Sequence, residues 1–208
     1  MDLKLGAFLV KSARLAVETY LKSGAKISQE DLDYSGLDEK HKKQLKEKNG
    51  VFVTISTHPE NELRGCIGYP LPIKPLVEAV LDNAINSATE DPRFPALESS
   101  ELSKIVFEVT VLSKPEKITS DPEDYPNHIK VGKDGLMVKY GFASGLLLPQ
   151  VAVEFNWAPR EFLSRTCEKA GLPPTMWYSK DIEVYKFSGE VFMEENPKGK
   201  VVKKRLIV

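Results

Sequence analysis

The sequence predicts an α+β fold, a two-lobed domain with helices flanking a mostly antiparallel sheet. Three observations predict it. Amphipathic stretches alternate with strand-like ones along the chain. Short connections rich in Pro, Asn and Gly join neighbouring strands, which favours antiparallel pairing. The order strand, strand, helix, strand also occurs twice, the mark of an internal duplication.

Taken in order, residues 3–22 read as an amphipathic helix. Leu5, Phe8, Leu9, Ala13, Ala16, Tyr20 and Leu21 form one stripe, and Gly24 stands where a left-handed cap belongs. Residues 25–49 are charge-rich, and "DEKHKKQLKEKNG" reads as a short solvated helix leading to Gly50. "VFVTIST" is a strand by its β-branched content, "HPEN" is turn chemistry, and "LRGCIG" returns as the antiparallel partner. Pro75 opens a helix whose Leu76, Val80, Ala84 and Ala88 recur at helical spacing. In "KIVFEVTVLS", Ile105, Phe107, Val109 and Val111 alternate as in a half-buried strand.

The second half repeats this order. Gly50-Val51-Phe52-Val53 resembles Gly135-Leu136-Met137-Val138 at an offset of 85 residues, which also carries Pro75 to Arg160 beside Pro159. "DIEVYKF" and "EVFMEE" read as a final strand pair. One domain over 1–208 is expected, with repeat-like halves at about 50–113 and 135–193.

The 208 residues are 41% hydrophobic and 28% charged, an ordinary globular composition. Lys and Arg total 29 against 30 Asp and Glu, giving a net charge of -1. No global basic field advertises nucleic acid, and no acidic excess advertises disorder. Nucleic acid is not an expected partner, nor is a membrane: Lys11, Arg14 and Glu18 interrupt the first apolar stretch, and no other run reaches about 18 residues. Cys66 and Cys167 form no CxxC and no disulfide framework, so reduced thiols in the cytoplasm are expected. The basic tail "KGKVVKKRLIV", with Lys200, Lys203, Lys204 and Arg205, reads as a solvated tail or edge strand.

The most informative stretch is "ELRGCIGYP". If residues 58–62 form the connection, Leu63 and Ile67 align with the apolar set Val51, Val53 and Ile55. Arg64 and Cys66 then lie beside Ser56 and Thr54 on the more polar face. A slip by one residue would bury the Arg64 guanidinium, so patterning prefers this register. It places a cation roughly 6–7 Å along the strand from the thiol. A thiol of ordinary pKa, about 8.5, is about 3% thiolate at pH 7, and a neighbouring guanidinium lowers that pKa. Gly65 and Gly68 would let a ligand approach the backbone. Against this stands a packing reading, because free cysteine is among the most buried residue types. No histidine is placed by spacing as a base: His58 falls in the turn, and His41 and His128 read as surface residues.

In "EDPRFPAL", Asp91-Pro92 stops the preceding helix and Pro95 holds Phe94 extended. Asp91 and Arg93 either brace this loop as an ion pair or present an anion-binding arginine at a cleft. Cys167 shares helical spacing with Phe162, Leu163 and Ala170 and reads as core. The acidic loop Asp121, Glu123, Asp124 with His128 lacks metal-ligand spacing, so no metal is expected.

"GVFVTI" followed by "LRGCIG", then "DPRFP", "GLLLPQV" and "CEKAGL" with a following Trp, resembles the AMMECR domain family, whose hallmark is the LRGCIG hexapeptide. The likeness runs from about Leu5 to Phe192. It implies a two-lobed α+β domain with a duplication and a cleft between the lobes. It also implies that Arg64, Gly65, Cys66, Gly68, Asp91, Arg93 and Phe94 are the motif positions. Roles in transcription, repair or translation, and partnership with Memo-like and radical-SAM proteins, come with the resemblance. A reaction and a cofactor do not.

The residues then support two functions. One is an enzyme or small-ligand site with Cys66 as the reactive atom, Arg64 lowering its pKa or holding an anion, and Arg93 clamping from the facing loop. The other is an interaction module in which the hexapeptide is structural.

Overall fold

The computed structural model describes residues 1–204, and Arg205 of the basic tail lies outside the described residues. The chain divides into two units. Among the described residues the first comprises Met1–Val111 together with residues 190–204, and the second comprises Leu112–Gly189.

The first unit begins with α1 (Leu3–Ser23), capped at its start by the Asp2 carboxylate, which accepts the Leu5 N–H. Gly24 ends the helix at φ 71°, a left-handed conformation that suits glycine. Leu5, Leu9, Ala13 and Ala16 are fully buried, while Phe8, Tyr20 and Leu21 pack at the margin of the core. Next come α2 (Glu39–Lys46), β1 (Val51–Thr57), β2 (Leu63–Tyr69), α3 (Leu76–Thr89) and β3 (Ile105–Leu112). Pro75 precedes α3 as its N-cap instead of forming its first turn. Val51, Val53 and Ile55 of β1 and Phe107, Val109 and Val111 of β3 share one core with α1 and α3.

The second unit runs through β4 (Glu116–Lys117), β5 (Asp134–Tyr140), β6 (Ala143–Leu147), α4 (Pro149–Glu154) and α5 (Pro159–Lys169). Its core joins Leu136 and Val138 of β5 to Phe162, Leu163 and Cys167 of α5, with Trp177. Strand β7 (Glu183–Glu194) and the edge strand β8 (Val201–Lys204) complete the chain. All described strand pairs are antiparallel. Strand, strand, helix, strand occurs twice, as β1-β2-α3-β3 and as β5-β6-α4/α5-β7.

The structure departs from the sequence reading at several places. "DIEVYKF" and "EVFMEE" are one twelve-residue strand, β7, and not a pair. Ser188-Gly189 carries no obligatory turn, and an extended backbone passes through it. Residues 183–188 pair with β5 and residues 191–194 with β8.

Arg14, expected to interrupt an apolar face, is itself buried. Its Nε and Nη2 each reach a Glu194 carboxylate oxygen at 2.6 Å. Nη1 and Nη2 also donate to the carbonyls of Leu102 and Ile105, and the guanidinium lies over the Phe107 ring. Glu194 accepts the Phe107 N–H as well. Every polar atom of this pair is occupied, which is the condition for burying two charges. Removing one partner alone typically costs about 3–5 kcal/mol.

His41 is also buried, not on the surface. Its Nε2 lies 2.7 Å from Asp2 Oδ2, tying the start of α2 to the cap of α1. No helix among the described residues is long and apolar enough to cross a membrane.

Candidate functional site

The β1–β2 register is the expected one at its centre: Thr54 faces Cys66 and Val53 faces Ile67. A shift between Ile55 and Ser56 then brings Leu63, not Arg64, opposite Ser56. Leu63 consequently leaves the apolar set and is exposed.

Gly65 and Gly68 were expected to open the backbone to a ligand. The protein fills both spaces itself. A Cβ on Gly65 would lie 2.0 Å from the Ser87 carbonyl oxygen, and one on Gly68 would lie 2.3 Å from the Phe52 ring. These glycines serve close packing, the first under a helix and the second beside an aromatic ring.

Ser87 goes further than contact. Its hydroxyl accepts the Ile67 N–H and donates to the Val53 carbonyl, each at 2.7 Å. Val53 and Ile67 are cross-strand partners, so the hydroxyl bridges the ladder next to Cys66. Ser87 is fully buried, and without it both backbone groups would need other partners.

The arginines divide into two roles. Arg64 holds Glu101 with two bonds, Nε to Oε1 at 2.8 Å and Nη2 to Oε2 at 3.1 Å, while Nη1 donates to the Pro95 carbonyl. This fork ties β2 to the segment leading into β3 and holds the Glu101 carboxyl below its usual range. The Arg64 side chain is only 14% exposed.

Arg93 pairs with buried Asp91, Nε to Oδ1 at 2.9 Å and Nη2 to Oδ2 at 2.7 Å. Its side chain is nevertheless 53% exposed, and the guanidinium lies over the Phe94 ring. Asp91 accepts the Cys66 N–H at 2.8 Å, and Arg93 Nη2 donates to the Cys66 carbonyl at 3.4 Å. Among the described residues Cys66 lies on a strand paired only with β1, and the two side chains serve its remaining backbone groups as a neighbouring strand would. The Arg93 bonds, with the backbone donors, hold the Asp91 carboxyl far below the usual carboxylate range.

Cys66 is half-buried, with Sγ 3.1 Å from Thr54 Oγ1. Burial pushes its thiol above the ordinary value, outweighing the Thr54 bond and the Arg93 charge. The lowered pKa expected from Arg64 is therefore absent: the cation that acts on the thiol is Arg93, and the group is a neutral thiol at pH 7. Cys167 is sealed in the second core, and burial lifts its pKa to about 11.

The sequence reading missed Ser87, Glu101 and Glu108. Ser87 was detectable as a hydroxyl on the apolar side of α3. Glu108 was detectable as the lone charge within the alternating strand. Its carboxyl lies on β3 opposite Thr54 and is bonded by Lys204 at 3.5 Å. Among the described residues no group of three His, Cys, Asp or Glu side chains is gathered as for a metal ion.

Known proteins share this whole arrangement of chain. The crystal structure of the uncharacterized protein PH0010 from Pyrococcus horikoshii superposes with a TM-score of 0.83 at 49% identity, covering 99% of this chain and 98% of that one. Protein MJ0810 of Methanocaldococcus jannaschii is 45% identical over 208 residues, covering 100% of this chain and 98% of its own. Protein PYRAB00100 of Pyrococcus abyssi is 50% identical over 205 residues, covering 97% and 96%. The AMMECR1 family model matches residues 10–192, a span that holds both units' hairpins and the Cys66 site. The chain belongs to the AMMECR1 family.

Proposed function

We propose that the polar face of the first hairpin is a small-molecule site, with Cys66 as the reactive atom and Arg93 as the group that receives an anionic handle. The observation that carries this reading is the convergence of the two groups at one strand position. Arg93 reaches the Cys66 carbonyl while half its side chain stays open to solvent. Arg64, nearly covered and bound to Glu101, supports the loop instead. The substrate class is a small anion bearing an electrophilic carbon. Two free cysteines support the reducing cytoplasm as the place where the protein works.

The test uses two alkylating probes, anionic iodoacetate and neutral iodoacetamide, with modification of Cys66 followed by peptide mass mapping. Cys167 is the internal control, since it is fully buried. The expected result is a preference for iodoacetate that falls about three- to tenfold in Arg93→Gln, the loss of one weakly screened charge contact. An unreactive Cys66, or an unchanged preference, overturns the reading.

A second reading is favoured by one observation. Leu71 and Ile73, just beyond β2, are exposed apolar side chains. They would suit a docking surface for a Memo-like or radical-SAM partner, or for the transcription, translation or repair machinery. In that case Cys66→Ala leaves partner capture unchanged, and loss of capture in Cys66→Ala counts against it.

A further inference from the structure

A neutral thiol needs a proton acceptor before it can form a bond, and the histidines are engaged elsewhere or lie in the turn. His41 is bound to Asp2, His128 to Asp124, and His58 belongs to the β1–β2 connection. We infer that Glu108 is the proton acceptor for Cys66, acting through the Thr54 hydroxyl. This rests on the reading of Cys66 as the reactive atom.

The argument is one of register. Thr54 is the cross-strand partner of Cys66 on one side and of Glu108 on the other. Directly paired residues of adjacent antiparallel strands share a face, with Cβ atoms about 4.5–5.5 Å apart. The Thr54 Oγ1 to Cys66 Sγ contact of 3.1 Å fixes which face that is. Thiol, hydroxyl and carboxylate therefore stand in one row across β2, β1 and β3.

The far end of the row is loosely held. Glu108 Oε2 meets Lys204 Nζ at 3.5 Å, the outer limit of a hydrogen bond, and the Lys204 side chain is 54% exposed. Rotation about the glutamate side chain takes the carboxylate from Lys204 to the neighbouring Thr54 hydroxyl. Only 23% of the Glu108 side chain is exposed, and burial raises its carboxyl above the ordinary value, making it a stronger base than a surface carboxylate. The other charges acting on the thiol are Arg93, which favours its ionisation, and Asp91, which opposes it.

The proton balance closes within the row. As Sγ bonds to an electrophilic carbon, the leaving group departs with its electron pair. The thiol proton passes to Thr54 Oγ1 while the Thr54 proton passes to Glu108. Glu108 ends as a neutral acid and is placed to return the proton when the bond breaks again.

The two roles of a carboxylate here have opposite signs in one experiment. As a mere negative neighbour, Glu108 raises the Cys66 pKa, so Glu108→Gln would speed alkylation at pH 7. As a proton acceptor, it assists the thiol, so Glu108→Gln slows alkylation. The measurement is the rate of Cys66 modification by iodoacetamide from pH 5 to 10, read by mass mapping on the full chain. The expected wild-type profile has a lower limb that follows Glu108 ionisation and an upper limb that follows the thiolate.

Glu108→Gln removes the lower limb, a loss of at least about tenfold at pH 7, and keeps the upper one. Thr54→Val removes it too, whereas Thr54→Ser, which keeps the hydroxyl, retains it. An equal or faster rate in Glu108→Gln, or a single-limbed wild-type profile, overturns the assignment while leaving a reactive Cys66 standing. A wild-type Cys66 that is unreactive throughout removes both.

Discussion

The two hairpins of the duplicated chain carry the same glycine and different chemistry. In β2, Gly65 lies under Ser87 of α3; in β6, Gly145 lies under α5, where an added Cβ would be 2.5 Å from the Ala170 nitrogen and 2.7 Å from the Thr166 carbonyl. Ser87 and Thr166 are matched hydroxyl residues, both buried. Yet Thr166 returns its proton to Phe162 of its own helix, while Ser87 reaches into the strand ladder. Where β2 has Arg64 and Cys66 flanking the glycine, β6 has Ser144 and Leu146. Where α3 is followed by Asp91 and Arg93, α5 runs out through Ala170 into Gly171 at φ 73°. The fold requires a helix pressed onto a glycine strand in both halves. Thiol, guanidinium and carboxylate are an addition to one of them, and this separates packing residues from chemical ones.

The largest expected effect breaks what the halves share. Gly65→Ala and Gly145→Ala each drive a methyl into helix backbone and cost about 3 kcal/mol, read as a lowered urea midpoint. If Gly65→Ala alone destabilises, the two contacts are not equivalent.

Next comes the hydroxyl that distinguishes them. Ser87→Ala removes the hydroxyl that the Ile67 N–H and the Val53 carbonyl share and costs about 2 kcal/mol. Thr166→Val loses only a bond back to its own helix and costs about 1 kcal/mol or less. Equal costs would mean that the Ser87 bridge contributes nothing beyond volume.

Asp91 has no counterpart in the second half, and it titrates. Its native pKa is depressed, so its stabilisation is fully present above the unfolded value of about 3.9 and disappears as pH falls through the depressed native one. Asp91→Asn lowers stability at pH 7 by about 2 kcal/mol and flattens the acid limb below about pH 4. A parallel acid limb in wild type and variant rules out this contribution.

The smallest effect is a control. Leu146→Cys places a thiol at the matched position of β6, whose unit has no counterpart of Arg93 following its helix, and alkylation there should show no preference for iodoacetate over iodoacetamide. A preference equal to that of Cys66 would mean that Arg93 is not its source.

Period-two alternation was enough to read the pairing of Thr54 with Cys66 and of Val53 with Ile67, because a one-residue slip would bury a charge. It could not reveal the shift at Ile55/Ser56, a local irregularity that leaves the composition of both strands unchanged. Arg14 looked like a surface residue because its partner, Glu194, lies 180 positions away. Shorter separations had the same effect, hiding Glu101 from Arg64, 37 positions away, and Glu108 from Cys66 on another strand. Glycine signalled close approach correctly, but whether a ligand or a helix approaches is decided by tertiary packing. Which arginine serves the thiol was likewise a question of side-chain direction, and residue spacing carries none of that.

The buried bolt between Arg14 and Glu194 has a consequence for synthesis. The first unit joins residues 1–111 to residues from Glu190 onward through β8, and folding on the ribosome proceeds from the N-terminus. A nascent chain that has not yet reached residue 194 leaves the Arg14 guanidinium with only the longer Glu18 contact at 3.4 Å as counter-charge and a Phe107 N–H without its acceptor. The thiol-bearing unit therefore completes its core only after residue 194 has been made.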